Sequence, residues 1–126
     1  MKHLAVDGKV TLTKLEKLAP PDREPAQGDV PAVVLDVETT GLNADKDEVI
    51  QIALRPFFVS PTTGEVSSVK KNIAYLQEPS RPLDPIITEI TGFVDDDLKG
   101  HSIPWDKVSS ILSKCQFVVQ DLFDIN

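Results

Sequence analysis

Val33-Val34-Leu35-Asp36-Val37-Glu38-Thr39-Thr40-Gly41-Leu42 is the stretch from which the rest of the chain can be read. It is an apolar run of the kind that forms a buried strand, yet two carboxylates stand one residue apart at its C-terminal end. Residues i and i+2 of a strand point to the same side, so Asp36 and Glu38 project together from one face. Two close carboxylates repel and shift one another's protonation unless something offsets their charge. A hard divalent cation does so, since Mg²⁺ takes oxygen ligands and needs only one or two carboxylates beside phosphate and water. The pattern therefore points to a metal site aimed at phosphate. The plain alternative is a strand that ends in solvent, where Asp and Glu are common. Thr39-Thr40-Gly41-Leu42 sharpens the choice: two hydroxyls lie beside the carboxylates, and Gly41 permits a tight turn or the close approach of a ligand.

Working outward, the first strand is expected at about Ala32–Glu38 and a second from about Glu48 to Val59, with Ile50, Ile52 and Leu54 on one side. Ser60-Pro61-Thr62-Thr63-Gly64 is a turn, and a third strand spans about Glu65–Leu76. Two hairpin-like connections imply three antiparallel strands. Helical signals follow. Asp84-Pro85 is a favourable start and Gly92 a favourable stop. Ser102-Ile103-Pro104 opens a second helix, in which Trp105, Val108, Ile111 and Leu112 follow helical spacing. Gln116-Phe117-Val118-Val119 is a short buried strand that returns parallel to the first through the helical crossover. Upstream, Ala19–Pro31 holds four prolines and reads as an extended linker. The expected division is an arm and linker over residues 1–30 and one domain over 31–126.

Composition narrows the classes. The chain has 126 residues and 40% hydrophobic content, enough for one domain with a modest core. No run approaches the ~18 apolar residues of a membrane span, and Met1-Lys2-His3-Leu4-Ala5 does not open a secretory signal, so a cytoplasmic location is expected. The single cysteine, Cys115, reads as a small core residue. With 13 basic and 20 acidic side chains the net charge is −7; residues 1–30 carry five of each, so residues 31–126 hold 8 and 15 and all of the excess. That balance argues against a DNA binder that works by neutralising phosphates with Lys and Arg. It is tolerable for a nuclease whose carboxylates are offset by metal. Asp95-Asp96-Asp97 reads as a solvated helix start rather than a second metal site.

Asp36-Val37-Glu38-Thr39-Thr40-Gly41-Leu42 resembles the first exonuclease motif of the DEDD family of 3′→5′ exonucleases, the DnaQ-like proteins that include the proofreading epsilon subunit of bacterial DNA polymerase III. Asp47–Ala53 resembles the family's second strand, and Pro82–Phe93 its proline-led helix closed by Thr-Gly. Phe123-Asp124 falls where the second motif places its Asp. The match covers roughly residues 31–126, in order and with agreeing spacing.

The resemblance implies a ribonuclease H-like α/β fold: three antiparallel strands, a helical crossover and a parallel fourth strand. It implies a hydrolase that uses two Mg²⁺ or Mn²⁺ ions to remove nucleotides from the 3′ end of DNA or RNA, single-stranded for preference, with a DNA polymerase as the partner. Asp36, Glu38 and Asp124 would be the metal-ligating and catalytic residues. Thr39, Thr40, Gly41 and Leu42 would hold the terminal nucleotide, Leu42 packing against a base.

Two departures bear on activity. The second motif usually reads His-Asn-x-x-Phe-Asp, whereas here Val119 and Gln120 stand in for the His and Asn, and the extra carboxylate Asp121 reads as a turn residue, the alternative being a misplaced ligand. The sequence stops at Asn126, before any third motif with its Asp and its His or Tyr, whose general-base help is worth about 10²–10⁴-fold. His101-Ser102-Ile103-Pro104-Trp105-Asp106 does not substitute for it: His101 reads as a surface residue, Asp106 as first-turn charge and Trp105 as core, and His3 as inert. A C-terminally incomplete fold is thus expected, with weak or absent cleavage in isolation but retained affinity for Mg²⁺ or Mn²⁺, exposed apolar surface and self-association. The alternatives are a catalytically inactive module that binds nucleic-acid ends or a polymerase, and an unrelated α/β domain.

Overall fold

The computed structural model describes residues 24–120. The N-terminal arm with His3, residues 19–23 of the proline-rich linker, and Asp121, Phe123 and Asp124 lie outside the described residues. The elements run β1 (Val30–Thr39), β2 (Val49–Val59), β3 (Val66–Val69), β4 (Ile73–Leu76), α1 (Pro85–Thr91), α2 (Asp95–Leu98), α3 (Trp105–Ser113) and β5 (Phe117–Gln120). The sheet order is β3-β2-β1-β5, with β4 also on β2. β1 and β2 are antiparallel, from Val30 opposite Val59 to Glu38 opposite Gln51. β5 lies parallel to β1, with Val33 beside Val118 and Leu35 beside Gln120. This is the expected ribonuclease H-like α/β arrangement. No helix among the described residues is long and apolar enough to cross a membrane.

The third strand differs from expectation in one respect. It is divided into β3 and β4, and both halves pair with β2. The reason lies across the ladder. Pro56 of β2 accepts from the Lys70 N–H through its carbonyl at 2.8 Å but has no N–H to return. Leu54 faces Ile73 and Phe57 faces Val69, so Arg55 and Pro56 oppose three residues, Lys70, Lys71 and Asn72. The extra residue forms a bulge where the donor is missing.

Strand alternation sorts the core into two layers. Val33, Leu35 and Val37 of β1, with Ile52 and Leu54 of β2, pack against Ile103, Val108, Ile111, Leu112 and Cys115 around α3. The other face gathers Ala32, Val34, Phe57, Val59, Val69 and Val119. Trp105 is a correction: it is 49% exposed, and Ile103 and Val108 take the core positions that helical spacing offered it. β5 is corrected too. It is an edge strand, so Phe117 and Val118 remain 42% and 50% exposed and only Val119 is buried.

The helical punctuation behaves largely as expected. Pro85 opens α1, and Gly92 closes it at φ 83° with its N–H on the Thr88 carbonyl. Asp84 makes no side-chain cap, so the start rests on the proline. In the Asp95–Asp97 run, Asp97 accepts from the Val94 N–H at 2.9 Å and so caps α2, while Asp95 accepts from the Leu83 N–H at 2.8 Å and ties down the segment before α1. His101 and Asp106 are exposed. The end of the linker is pinned to β3: Ser67 Oγ donates to Asp29 and accepts from the Ala26 N–H.

Candidate active site

Asp36 and Glu38 sit on the face of β1 that also carries Ala32 and Val34, because the four alternate along one strand. Across the ladder they stand opposite Ala53 and Gln51, both uncharged, on β2. Both are partly exposed and both engage in polar interactions. Immediately after Glu38 the register slips, Thr39 pairing with Val49. The slip bends the chain out of the sheet into the loop that carries the rest of the motif. Among the described residues no third carboxylate, histidine or cysteine joins the pair. Gln120, the last described residue of β5, lies level with Leu35, and Asp124 lies outside the described residues.

The loop from Thr40 to Glu48 is closed by its own polar groups. The Thr40 N–H donates to the Glu48 carbonyl at 2.9 Å. The Thr40 hydroxyl donates to Asp47 Oδ1 at 3.0 Å and accepts from the Glu48 N–H at 2.9 Å. Asp47 Oδ2 accepts from the Asn43 N–H at 2.8 Å. The Thr39 hydroxyl donates to the Gly41 carbonyl. Gly41 is required by close approach rather than by its backbone angles: a Cβ there would stand 2.7 Å from the Asp47 carboxyl carbon, and nearer still to Oδ2. Of the four expected nucleotide-contacting residues, Thr40 and Gly41 thus have their polar groups and free space taken up by the loop. Leu42 is 91% exposed at its tip.

Leu42 forms one wall of a cleft with Val37, Glu38, Thr39 and Gly41; Ile87, Ile90 and Thr91 of α1 form the other. The cleft is apolar on both walls, and Glu38 of the carboxylate pair is among the residues that line it. Such a shape suits a ring or sugar held by shape and stacking, with a polar group presented to Glu38. The α1 residues were not singled out from sequence. Their signal was present in Ile86, Ile87 and Ile90, three apolar side chains on a seven-residue helix that buries none of its residues. Asp47 and Glu48 were read only as a strand start, and their contacts across the loop are not visible in spacing.

A family profile described as exonuclease, of the RNase T type, matches residues 33–125. The chain is also similar to PolC-type DNA polymerase III from several bacteria. It is 41% identical to that of Halalkalibacterium halodurans over 69 residues, 55% of this chain. It is 31% identical to that of Streptococcus agalactiae over 87 residues, 69% of this chain, and 32% identical to that of Streptococcus mutans over 89 residues, 71% of this chain. It spans only 4–5% of the length of these relatives. With the motif loop, the strand order and the carboxylate pair where that profile falls, the chain belongs to the RNase T exonuclease family.

Proposed function

We propose that this chain is a divalent-metal-dependent 3′→5′ exonuclease domain that removes single nucleotides from a nucleic-acid 3′ end, in a proofreading role beside a DNA polymerase. The observation that carries the reading is that Asp36 and Glu38 share one face of β1 and that Glu38 lines the apolar cleft. The polymerase setting follows from the similarity to PolC-type DNA polymerase III.

The donor set fits a hard cation, being carboxylate oxygens on one face with neutral residues opposite. Asp36, Glu38 and Asp124 would hold two Mg²⁺ or Mn²⁺ ions, which when bound lower the pKa of water and offset charge on phosphate. The chain's own groups do the positioning. Leu42, Ile87 and Ile90 take the terminal base and sugar between apolar walls, which serves any base. Thr39 holds the Gly41 carbonyl and with it the loop backbone. Glu38 presents its carboxylate toward the 3′-hydroxyl end of the seated nucleotide. In the reaction a water oxygen attacks phosphorus and the bond to the 3′ oxygen of the preceding nucleotide breaks. The products are a nucleoside 5′-monophosphate and a strand with a new 3′-hydroxyl.

The test is Mn²⁺-dependent shortening of a 5′-labelled single-stranded oligonucleotide, with Asp36→Ala as control. Stepwise loss from the 3′ end that the substitution abolishes is the expected result. Equal behaviour of the two proteins sinks the catalytic reading. It would leave binding without cleavage, which one observation favours: Val119, standing where the family has a His, is packed in the core.

A further inference from the structure

Two carboxylates outside the metal-binding pair are each tied to a different wall of the cleft. Asp47 holds the first wall: it takes the Thr40 hydroxyl and the Asn43 N–H, and its carboxyl group lies against Gly41, the residue before Leu42. Glu48 holds the approach to the second. Both of its carboxylate oxygens accept from the Ser80 N–H at 3.1 Å, and Oε2 also accepts from the Ser80 hydroxyl at 2.7 Å. Ser80 belongs to the segment that enters α1, which is fixed again when Leu83 donates to Asp95. The two carboxylates are adjacent in sequence and stand directly before β2, whose Ile50 is fully buried and whose Ile50 carbonyl accepts from Gln77 at 2.9 Å. Both walls are therefore referenced to one rigid point of the sheet.

We infer that Asp47 and Glu48 are positioning residues that set the separation of the two cleft walls, and so the size of the nucleotide end the cleft admits. Carboxylates suit the task because they accept from several donors at once and offer none. The inference rests on the reading of the cleft as the seat of a 3′-terminal nucleotide. The two can fail separately.

Hydrogen exchange and end binding are measured on the wild-type chain and on Asp47→Ala, Glu48→Ala and Glu48→Gln. Asp47→Ala is expected to speed exchange in residues 40–46 alone, and Glu48→Ala in residues 79–91 alone. The binding probe is a 5′-fluorescein oligothymidylate with a free 3′-hydroxyl, in Ca²⁺ to suppress cleavage, against the same strand blocked by a 3′-phosphate. Each alanine variant is expected to weaken binding of the free end about tenfold, the loss of a charge-assisted contact set. Mn²⁺ affinity, followed by electron paramagnetic resonance, should stay within about twofold. Glu48→Gln keeps one carbonyl oxygen for Ser80 and should restore most of the affinity.

Unchanged exchange in both alanine variants overturns the inference. So does faster exchange with unaltered discrimination between free and blocked ends, since the bonds would then merely close a loop. A wild-type chain that does not distinguish the two ends overturns the nucleotide-seat reading instead. The positioning of the walls then stands or falls on the exchange pattern, which needs no nucleic acid.

Discussion

Substituting Gly41 by Ala is a sharp test of how the motif loop is built. The new Cβ would lie 2.7 Å from Asp47 Cγ and 2.8 Å from Oδ1, far inside ordinary contact. Asp47 must then move, and its bonds to the Thr40 hydroxyl at 3.0 Å and the Asn43 N–H at 2.8 Å are lost or stretched. These bonds lie at a partly exposed surface, where water replaces part of what is lost, so each contributes about 1 kcal/mol, the low end for a charged acceptor. The expected cost of Gly41→Ala is therefore about 2 kcal/mol. The same reasoning makes a prediction for the double variant. In an Asp47→Ala background the obstacle is gone, so Gly41→Ala should be neutral, or stabilising by up to about 1 kcal/mol through a less flexible unfolded chain. Urea unfolding followed by far-ultraviolet circular dichroism, run on all four members of the cycle, measures the coupling. If Gly41→Ala costs as much without the Asp47 carboxylate as with it, the close approach is not the reason for glycine and the account of the loop is wrong.

Other outcomes follow from single sites. Leu54→Ala removes a fully buried side chain between the sheet and α3 and should cost about 2–5 kcal/mol in the same unfolding assay. Gly92 has open space around it but φ 83°, so Gly92→Ala should cost about 1 kcal/mol from backbone strain alone, and Gly92→Asn less. Burial pushes the Cys115 thiol up from its ordinary value, and its Sγ–H donates to the Ile111 carbonyl. Its reaction with a disulfide reagent at pH 8 should be slower in the folded chain than in urea. The folded state favours the neutral thiol, so this contribution is full below the ordinary thiol pKa and is lost as pH rises through the raised one. Cys115→Ser should flatten that alkaline slope in stability, and an unchanged slope would point to another group.

Local chemistry made much of the fold legible. Alternation along Val33–Glu38 placed the carboxylates together, Pro85 and Gly92 bounded α1, and Ser102–Pro104 marked the approach to α3. What alternation could not show was which strand would be left at an edge, and β5 proved half exposed where an apolar run suggested burial. Trp105 failed for a related reason. A helix of nine residues buries a stripe, and which of its apolar residues lie on that stripe depends on how the helix sits against the sheet. The break of the third strand was written in Pro56, but on the strand opposite, so it needed the pairing to be read.

The site divides in the same way. That Asp36 and Glu38 share a face is a property of any strand with that spacing, so sequence alone determined it, and with it the family resemblance and the chemistry to expect. The cleft beside them was decided only in three dimensions. Its walls come from residues 37–42 and 87–91, and its braces from Asp47 with Thr40 and Glu48 with Ser80. Those partners are 7 and 32 residues apart. Hydrogen bonds act over about 3 Å of space and are indifferent to distance along the chain. Local periodicity therefore reports which side a residue faces, while only the folded sheet determines what it meets there.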